Sequence, residues 1–465
     1  MSIVAISTAP GIGGIGIIRM SGEDCFEILN KIFHPMKNEN IENIKGYSIK
    51  YGTIEDSQNN VIDEVLVSYF KAPKSYTTEN MCEISSHGGS VIMNQILELC
   101  LKNGAKLAEP GEFTKLAFLN GRIDLAQAEA VIDVINSKTN KEAEASVNQL
   151  KGYLSENLSI LRKELLSILA DIEASIDYPE YDIEETTNEK VITTLEDIDQ
   201  KLKKIEDSFE TGKILKYGVK LAIVGKPNVG KSSLLNIILN EERAIVTEFE
   251  GTTRDSIEEY ISIKGIPIKI VDTAGIRETN NEIEKIGIKK SKEIAENSDI
   301  LVAIFDISRS FEEEDKEILE LIKGKNAIIL LNKIDLVENE NDRKQIFKKN
   351  FEEIEMPIIE ISTKENKGIE KLNDEIIKII NLNELDGNDS VILTNVRHKN
   401  LINEARQNLN ESIKIINNGL PIDIISSYVK TILESLGKIT GETASERLHN
   451  RCLPGCAASV FCWFP

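Results

Sequence analysis

At 465 residues the chain is too long for one hydrophobic core and asks for roughly two to four domains. Its 41% hydrophobic and 28% charged residues are ordinary for a globular protein, and no apolar run reaches the ~18 residues of a membrane span. A formal net charge of −22 repels a polyanion such as RNA, so any RNA must be attracted by a local basic patch or a basic partner.

The N-terminus lacks a basic-then-apolar leader, and a cytoplasmic address is expected. Cys25, Cys82 and Cys100 are scattered, while Cys452, Cys456 and Cys462 crowd the C-terminus, which is no disulfide framework.

Residues 1–118 read as an α+β domain. Short β-type runs at Gly16–Met20, Tyr47–Ile54 and Val61–Phe70 alternate with turns, and the spacing predicts a helix over Val91–Leu101. From Asp124 the pattern turns helical. Leu158, Leu161, Leu165, Ile168 and Ile172 recur at three- and four-residue steps, as do Leu195, Ile198, Leu202, Ile205 and Phe209. Each set is an amphipathic face wanting a partner helix. At Lys220 the period changes again. Apolar runs Leu221–Val224, Ile266–Val271, Ile300–Phe305, Ala327–Leu331 and Pro357–Ile361 alternate with helix-length segments, the pattern of a parallel, doubly wound sheet. Helical periodicity returns after Asp386 through Leu401, Ala405, Leu409, Ile413 and Ile416. The expected fold is therefore multidomain α/β and α: domain 1–118, a helical domain split into 119–215 and 381–465, and a doubly wound P-loop domain inserted at 216–380.

Gly225-Lys226-Pro227-Asn228-Val229-Gly230-Lys231-Ser232 follows a strand and opens a helix-like run at Ser233, the context of a phosphate loop. Backbone amides at Asn228, Val229 and Gly230 would cradle the β-phosphate. Lys231 would meet the β/γ oxygens where charge develops, and Ser232 would ligate Mg²⁺. Asp272 and Gly275 of Asp272-Thr273-Ala274-Gly275 stand at a strand end, suited to Mg²⁺-bound water and the γ-phosphate. Asn332-Lys333-Ile334-Asp335 follows the next strand but one. A carboxylate at Asp335 accepts two hydrogen bonds that guanine offers and adenine does not. Ser362-Thr363-Lys364, after the last strand, suits a loop that meets the guanine oxygen. Four such elements at strand ends in order predict a GTP-binding, GTP-hydrolysing domain. Ile276 occupies the place of the water-orienting Gln of Ras-like proteins, so that task falls to Glu284, Glu282, Arg277 or Arg254.

With these motifs stand Ala9-Pro10-Gly11-Ile12-Gly13-Gly14-Ile15-Gly16-Ile17-Ile18-Arg19, Pro110-Gly111-Glu112-Phe113-Thr114-Lys115, Gln127-Ala128-Glu129-Ala130, Gly251-Thr252-Thr253-Arg254-Asp255 and Gly437-Lys438-Ile439-Thr440-Gly441-Glu442. On these residues the chain resembles the MnmE (TrmE) family, the tRNA wobble-uridine modification GTPases, from about Ile3 to Glu446. The resemblance implies an N-terminal domain that binds a tetrahydrofolate derivative and forms a homodimer. It also implies a FAD-containing partner, with tRNA met mainly through that partner and no membrane. The activity implied is addition of an aminomethyl or carboxymethylaminomethyl group at C5 of the wobble uridine. By position, the resemblance assigns K⁺ to Asn228, Thr247 and Phe249, Mg²⁺ to Ser232 and Thr253, and water orientation to Glu284. The nucleotide set then comprises Asn228, Val229, Gly230, Lys231, Ser232, Ser233, Thr247, Thr253, Asp272, Gly275, Asn332, Lys333, Asp335, Ser362 and Thr363. The folate set is Arg19, Glu83 and Arg122. A GTP-gated assembly or ribosome-maturation scaffold is the rival reading.

Three further points follow. Gly11–Gly16 formally matches a dinucleotide fingerprint but precedes a β-type run, which rules that reading out. The family has Gly where Thr78 and Ser86 stand, and His87 reads as a turn residue. After Glu446 the family pattern is lost, as in a frameshifted or altered end. Only Phe461-Cys462 echoes the family's terminus, whose Cys would make Cys462 catalytic; an altered tail predicts GTP hydrolysis with poor tRNA modification.

Overall fold

A computed structural model of the chain describes residues 1–36, 46–177, 184–241, 259–271, 295–337, 351, 355–380, 391–421 and 423–442. The described residues fall into two compact units, one within Met1–Val131, Ser155–Ser159 and Glu434–Pro465, the other within Ile132–Leu154 and Ile160–Leu433.

The first unit holds seven strands: β1 (Ile3–Ile6), β2 (Gly16–Ser21), β3 (Phe33–Pro35), β4 (Ser48–Glu55), β5 (Val61–Phe70), β6 (Met81–Ser86) and β7 (Lys106–Leu107). Their order in the sheet is β3-β4-β5-β6-β2-β1-β7, antiparallel except between β1 and β7. Alternation puts Val65, Val67 and Tyr69 of β5 inward with Ile18, Met20, Cys82 and Ile84. Helices α1 (Cys25–Asn30) and α2 (Ser90–Lys102) cover that face with Ile28, Leu29, Met93 and Ile96. Ile49, Tyr51 and Leu66 are left exposed. Helices α3 (Glu112–Leu119) and α4 (Leu125–Asn136) follow. The expected runs are strands and the expected helix is α2; β6, which separates β2 from β5, turns only Cys82 and Ile84 inward about Glu83, an alternation too short to mark a strand in the sequence.

Next come α5 (Asn140–Leu150), α6 (Tyr153–Asp177) and α7 (Glu184–Tyr217), with α11 (Val396–Asn417) and α12 (Asp423–Thr440) after the inserted sheet. The two periodic faces read from the sequence are buried from Leu158 to Ile172 and from Leu195 to Phe209. Lys201 Nζ lies 3.1 Å from Glu164 between α6 and α7, and Arg406 of α11 grips Asp199 at 2.8 Å and Glu206 at 2.6 Å on α7.

The inserted sheet has the order β13-β12-β11-β8-β10-β9, built from β8 (Val219–Val224), β9 (Glu259–Ile263), β10 (Ile266–Ile270), β11 (Ile300–Asp306), β12 (Ala327–Asn332) and β13 (Ile358–Glu360). Helices α8 (Lys231–Glu241), α9 (Glu313–Ile322) and α10 (Ile369–Ile380) accompany it. Period-two alternation sends Leu221, Ile223, Val302, Ile304 and Leu330 to one core with Leu234 and Leu235 of α8. It sends Ala222, Val224, Leu301, Phe305 and Leu331 to another with Ile322 of α9. Both faces are dry, which is why these strands read as unbroken apolar runs. Five strands run parallel as expected. The correction is β9, which pairs antiparallel with β10 on the edge, so the sheet is mixed. Among the described residues no helix is long and apolar enough to cross a membrane.

Candidate functional site

The parallel strands β8, β11, β12 and β13 bring their C-terminal ends together, and the loops there carry the motif residues. Leaving β8, the chain takes Asn228 at φ +63° and Gly230 at φ +109° before α8 starts at Lys231. A Cβ on Gly225 would stand 2.6 Å from the Ile304 carbonyl, and one on Gly230 only 2.3 Å from Asn332 Nδ2. Both positions admit glycine alone. Ser232 and Ser233 follow on the first turn of α8, and Leu234, Leu235 and Ile238 anchor the helix in the core. Its N-terminus thus presents amides and a positive dipole end at the loop.

Lys231 folds back over this loop, its Nζ donating at 2.7 Å to the carbonyls of both Gly225 and Lys226. Burial pushes its pKa down to about 8. An anion set beside this desolvated ammonium would offset the cost of its burial.

Two base-side loops meet beside it. Asn332, fully buried at the end of β12, donates from Nδ2 to the Val229 carbonyl (2.7 Å) and to Thr363 Oγ1 (3.2 Å), and its Oδ1 accepts from Thr363 N (3.1 Å). Ser362 Oγ donates to Asp335 Oδ1 at 2.7 Å, and Ser362 and Lys367 exchange backbone hydrogen bonds of 3.1 Å that close the last loop. Lys333 takes φ +67°, and its Nζ sits 2.7 Å from Asp306 Oδ2. Burial opposes charge on Asp306, yet Lys333 and Ser308 hold its carboxyl below the usual range. The structure therefore gathers Asn228, Val229, Gly230, Lys231, Ser232, Asn332, Lys333, Asp335, Ser362 and Thr363 around one set of strand ends. Thr247, Phe249, Thr253, Arg254, Asp272, Gly275, Ile276, Arg277, Glu282, Glu284 and Cys462 lie outside the described residues.

A second cluster of expected site residues lies in the N-terminal sheet. Arg19 of β2 and Glu83 of β6 are direct cross-strand partners, with Arg19 Nε and Nη2 at 2.9 and 2.7 Å from Glu83 Oε1. The Arg19 guanidinium lies 5.5 Å from the Tyr76 ring centre and 5.6 Å from that of Phe113. Arg122 covers Tyr76 at 4.8 Å and donates to its carbonyl at 3.3 Å. Tyr76 OH shares a 2.9 Å hydrogen bond with Thr114 Oγ1. Arg19, Tyr76, Glu83 and Arg122 open on a cleft of about 570 Å³ also lined by Phe70, Thr78 and Asn120. The three expected residues, Arg19, Glu83 and Arg122, all line it. Tyr76 and Phe113 were missed, because an aromatic in a turn or at a helix start carries no local signal for a ring stacked on guanidinium. His87 is exposed in the link between β6 and α2, its Nδ1 2.7 Å from Asp63 Oδ1 and its backbone N–H donating to Oδ2 at 2.8 Å. The thiols of Cys25, Cys82 and Cys100 are free and buried; a hydrogen bond with Cys25 and burial raise Cys82, and burial pushes Cys100 up to about 12.

A phosphate loop between a central parallel strand and its helix, facing an Asn-Lys-x-Asp loop that ends another strand, defines a guanine-nucleotide-binding P-loop protein. The TrmE N-terminus, described for a GTP-binding protein, matches residues 2–122, and the MnmE helical domain matches residues 125–451. A protein named tRNA modification GTPase MnmE from Acetivibrio thermocellus is 48% identical over 451 residues, covering 96% of each chain. Its namesake from Clostridioides difficile is 48% identical over 457 residues, covering 97% of this chain and 98% of that one. The chain belongs to the MnmE family of tRNA modification GTPases, and it is a GTP hydrolase.

Proposed function

We propose that this chain is the GTP-hydrolysing subunit of a complex that adds an aminomethyl or carboxymethylaminomethyl group at C5 of the tRNA wobble uridine. In this reading it draws a one-carbon unit from a tetrahydrofolate derivative and works with a FAD-containing partner. The observation that supports it best is the presence in one chain of two chemically different sites: the nucleotide loops and the Arg19–Glu83–Tyr76–Arg122 cleft. A GTP-gated assembly or ribosome-maturation scaffold has no use for the second.

The cleft fits a reduced folate by size and donor set. Its ~570 Å³ falls in the range of small-ligand pockets. Glu83, steadied by Arg19, suits the paired N–H donors of a pterin, and the Arg122 guanidinium suits a glutamyl carboxylate. Ile49, Tyr51 and Leu66 on the open sheet face give residues 1–118 an apolar surface for homodimerisation.

At the nucleotide, Asn228 to Ser233, Asn332, Lys333, Asp335, Ser362 and Thr363 would hold GTP, with Thr247, Thr253, Asp272 and Gly275 supplied by segments outside the described residues. Ser232 with Thr253 would hold Mg²⁺, and Asn228 with Thr247 and Phe249 would hold K⁺. A cation there stabilises charge growing on the β- and γ-phosphates, as an arginine finger does. Lys231 serves the same charge from the loop, and Glu284 orients water in place of the glutamine that Ile276 displaces. The inserted domain at 216–380 between helical parts 119–215 and 381–465 would carry G-domain dimerisation to the rest of the protein. Turnover is then faster in potassium than in sodium at equal ionic strength, and equal rates would remove the potassium step. With its charge of −22 the chain meets tRNA mainly through its partner.

Nucleoside mass spectrometry of tRNA from cells with and without this chain tests the whole reading. Loss of the C5-modified wobble uridine on deletion is the expected result; unchanged modification overturns it. Complementation by the chain ending as written tests Cys462 and its tail.

A further inference from the structure

Five carboxylates that no nucleotide motif includes lie between the end of β11 and the first turn of α9, and three of them, Asp306, Glu312 and Asp315, meet a loop lysine within 3 Å, with Glu314 at 3.7 Å from Lys226. Asp306 ends β11 directly beside Asn332 of β12 in register. It is 6% exposed, and both of its oxygens are engaged: Oδ1 accepts from Ser308 N (3.0 Å) and Oγ (2.6 Å), and Oδ2 lies 2.7 Å from Lys333 Nζ. Nine residues on, Asp315 Oδ2 accepts from Glu312 N at 2.9 Å in a capping box that fixes the start of α9.

That capped end holds the phosphate loop. The Lys226 side chain is 4% exposed, and its Nζ reaches Glu312 Oε2 at 2.7 Å and Asp315 Oδ2 at 2.9 Å. Lys226 thereby points its charge at α9, while its carbonyl takes one of the two hydrogen bonds that seat Lys231 Nζ. The same short segment thus grips the lysine of the base loop at one end and the second residue of the phosphate loop at the other. A lysine has four rotatable bonds and is well solvated, so it stays in one place only where a buried partner keeps it there.

We propose that Asp306, Glu312 and Asp315 form a brace that positions both nucleotide-binding loops, Asp306 acting through Lys333 and the other two acting through Lys226 on Lys231. This rests on the guanine-nucleotide site proposed above. None of the three carboxylates belongs to the nucleotide set, so loss of the brace is felt in binding rather than in the chemical step.

The test uses the full chain, with GDP affinity read by displacement of a fluorescent GDP and turnover read at saturating GTP. Asp306→Asn is expected to weaken GDP binding about tenfold, the cost of removing the buried carboxylate's charge from its pair with the half-buried Lys333, with kcat within about twofold. Lys333→Met should weaken it similarly, and the double variant should be no weaker than the worse single one. Wild-type affinity in Asp306→Asn overturns the proposal, as does full additivity with Lys333→Met. Should Asp306→Asn not fold, Lys226→Met tests the other end: weaker GDP binding supports the brace and unchanged binding overturns it. Failure of the wild-type chain to bind GDP would strike at the nucleotide site itself.

Discussion

Asn332 closes on Val229: its Nδ2 donates 2.7 Å to the Val229 carbonyl, tying the base loop to the phosphate loop across more than a hundred residues of sequence. Gly230, the next residue, is what lets it come so close. Its φ is +109°, and a Cβ there would lie 2.3 Å from the Asn332 amide.

Gly230→Ala should therefore break the site twice, by a backbone angle that L side chains resist and by evicting Asn332. GDP affinity is expected to fall by roughly 10²-fold or more, since the phosphate amides and the base loop move together. The displacement assay decides it, and near wild-type affinity would show that the two loops are independent.

Asp335 gives the second test. Its Oδ1 accepts 2.7 Å from Ser362 Oγ, a bond that an asparagine carbonyl can keep. Asp335→Asn should then fold normally while replacing an acceptor by a donor where guanine offers N–H groups. Preference should pass from GDP to xanthosine diphosphate by roughly 10²-fold or more, because buried polar groups left unpaired discriminate strongly. Competition by both diphosphates against one labelled nucleotide measures the ratio; an unchanged ratio would put the base elsewhere.

Much of this site was legible in the sequence because its parts are local. Gly225 to Ser232 needs only a strand before it and a helix after it, and Asn332 to Asp335 only a strand. The unbroken apolar runs of β8, β11 and β12 announced themselves because both faces are dry. What was not legible depends on contacts between distant segments. Asp306 looks like any carboxylate ending a strand until register sets it beside Asn332. The antiparallel edge strand β9 and β6 do alternate, with Ile261 and Ile263 and with Cys82 and Ile84 inward, but each pattern holds only two apolar residues, too short to mark a strand without its pairing partners.

Thr78 carries a third prediction. It takes φ +64°, a left-handed angle that costs a β-branched residue about 1–2 kcal/mol. Ser86 has no positive φ and donates to Met93 Sδ at 3.1 Å. Of these two, Thr78 is the strained one. Thr78→Gly should stabilise the N-terminal unit by about 0.5–1 kcal/mol after the glycine's extra unfolded-state freedom is subtracted. Urea unfolding followed by tyrosine fluorescence would show a raised midpoint; a lowered one would mean that the threonine's own contacts outweigh its strain.

The last prediction concerns protons at Lys231. Burial lowers its pKa to about 8, below the ~10.4 of a solvated lysine, so between these values the unfolded chain holds a proton that the folded chain has lost. Stability contributed by this group therefore rises with pH across that window, and the penalty on its buried charge is present in full below it. A bound polyphosphate reverses the balance by favouring the ammonium. Nucleotide binding should then take up about 0.1 proton at pH 7 and about 0.9 at pH 9, with affinity about tenfold lower at pH 9. Calorimetry with GDP in two buffers of different ionisation enthalpy measures the uptake directly. Lys231→Arg should abolish the pH 9 uptake, because guanidinium stays charged throughout. Equal uptake at pH 7 and pH 9 in the unaltered chain would mean that Lys231 is already charged at both, held by the Gly225 and Lys226 carbonyls against its burial.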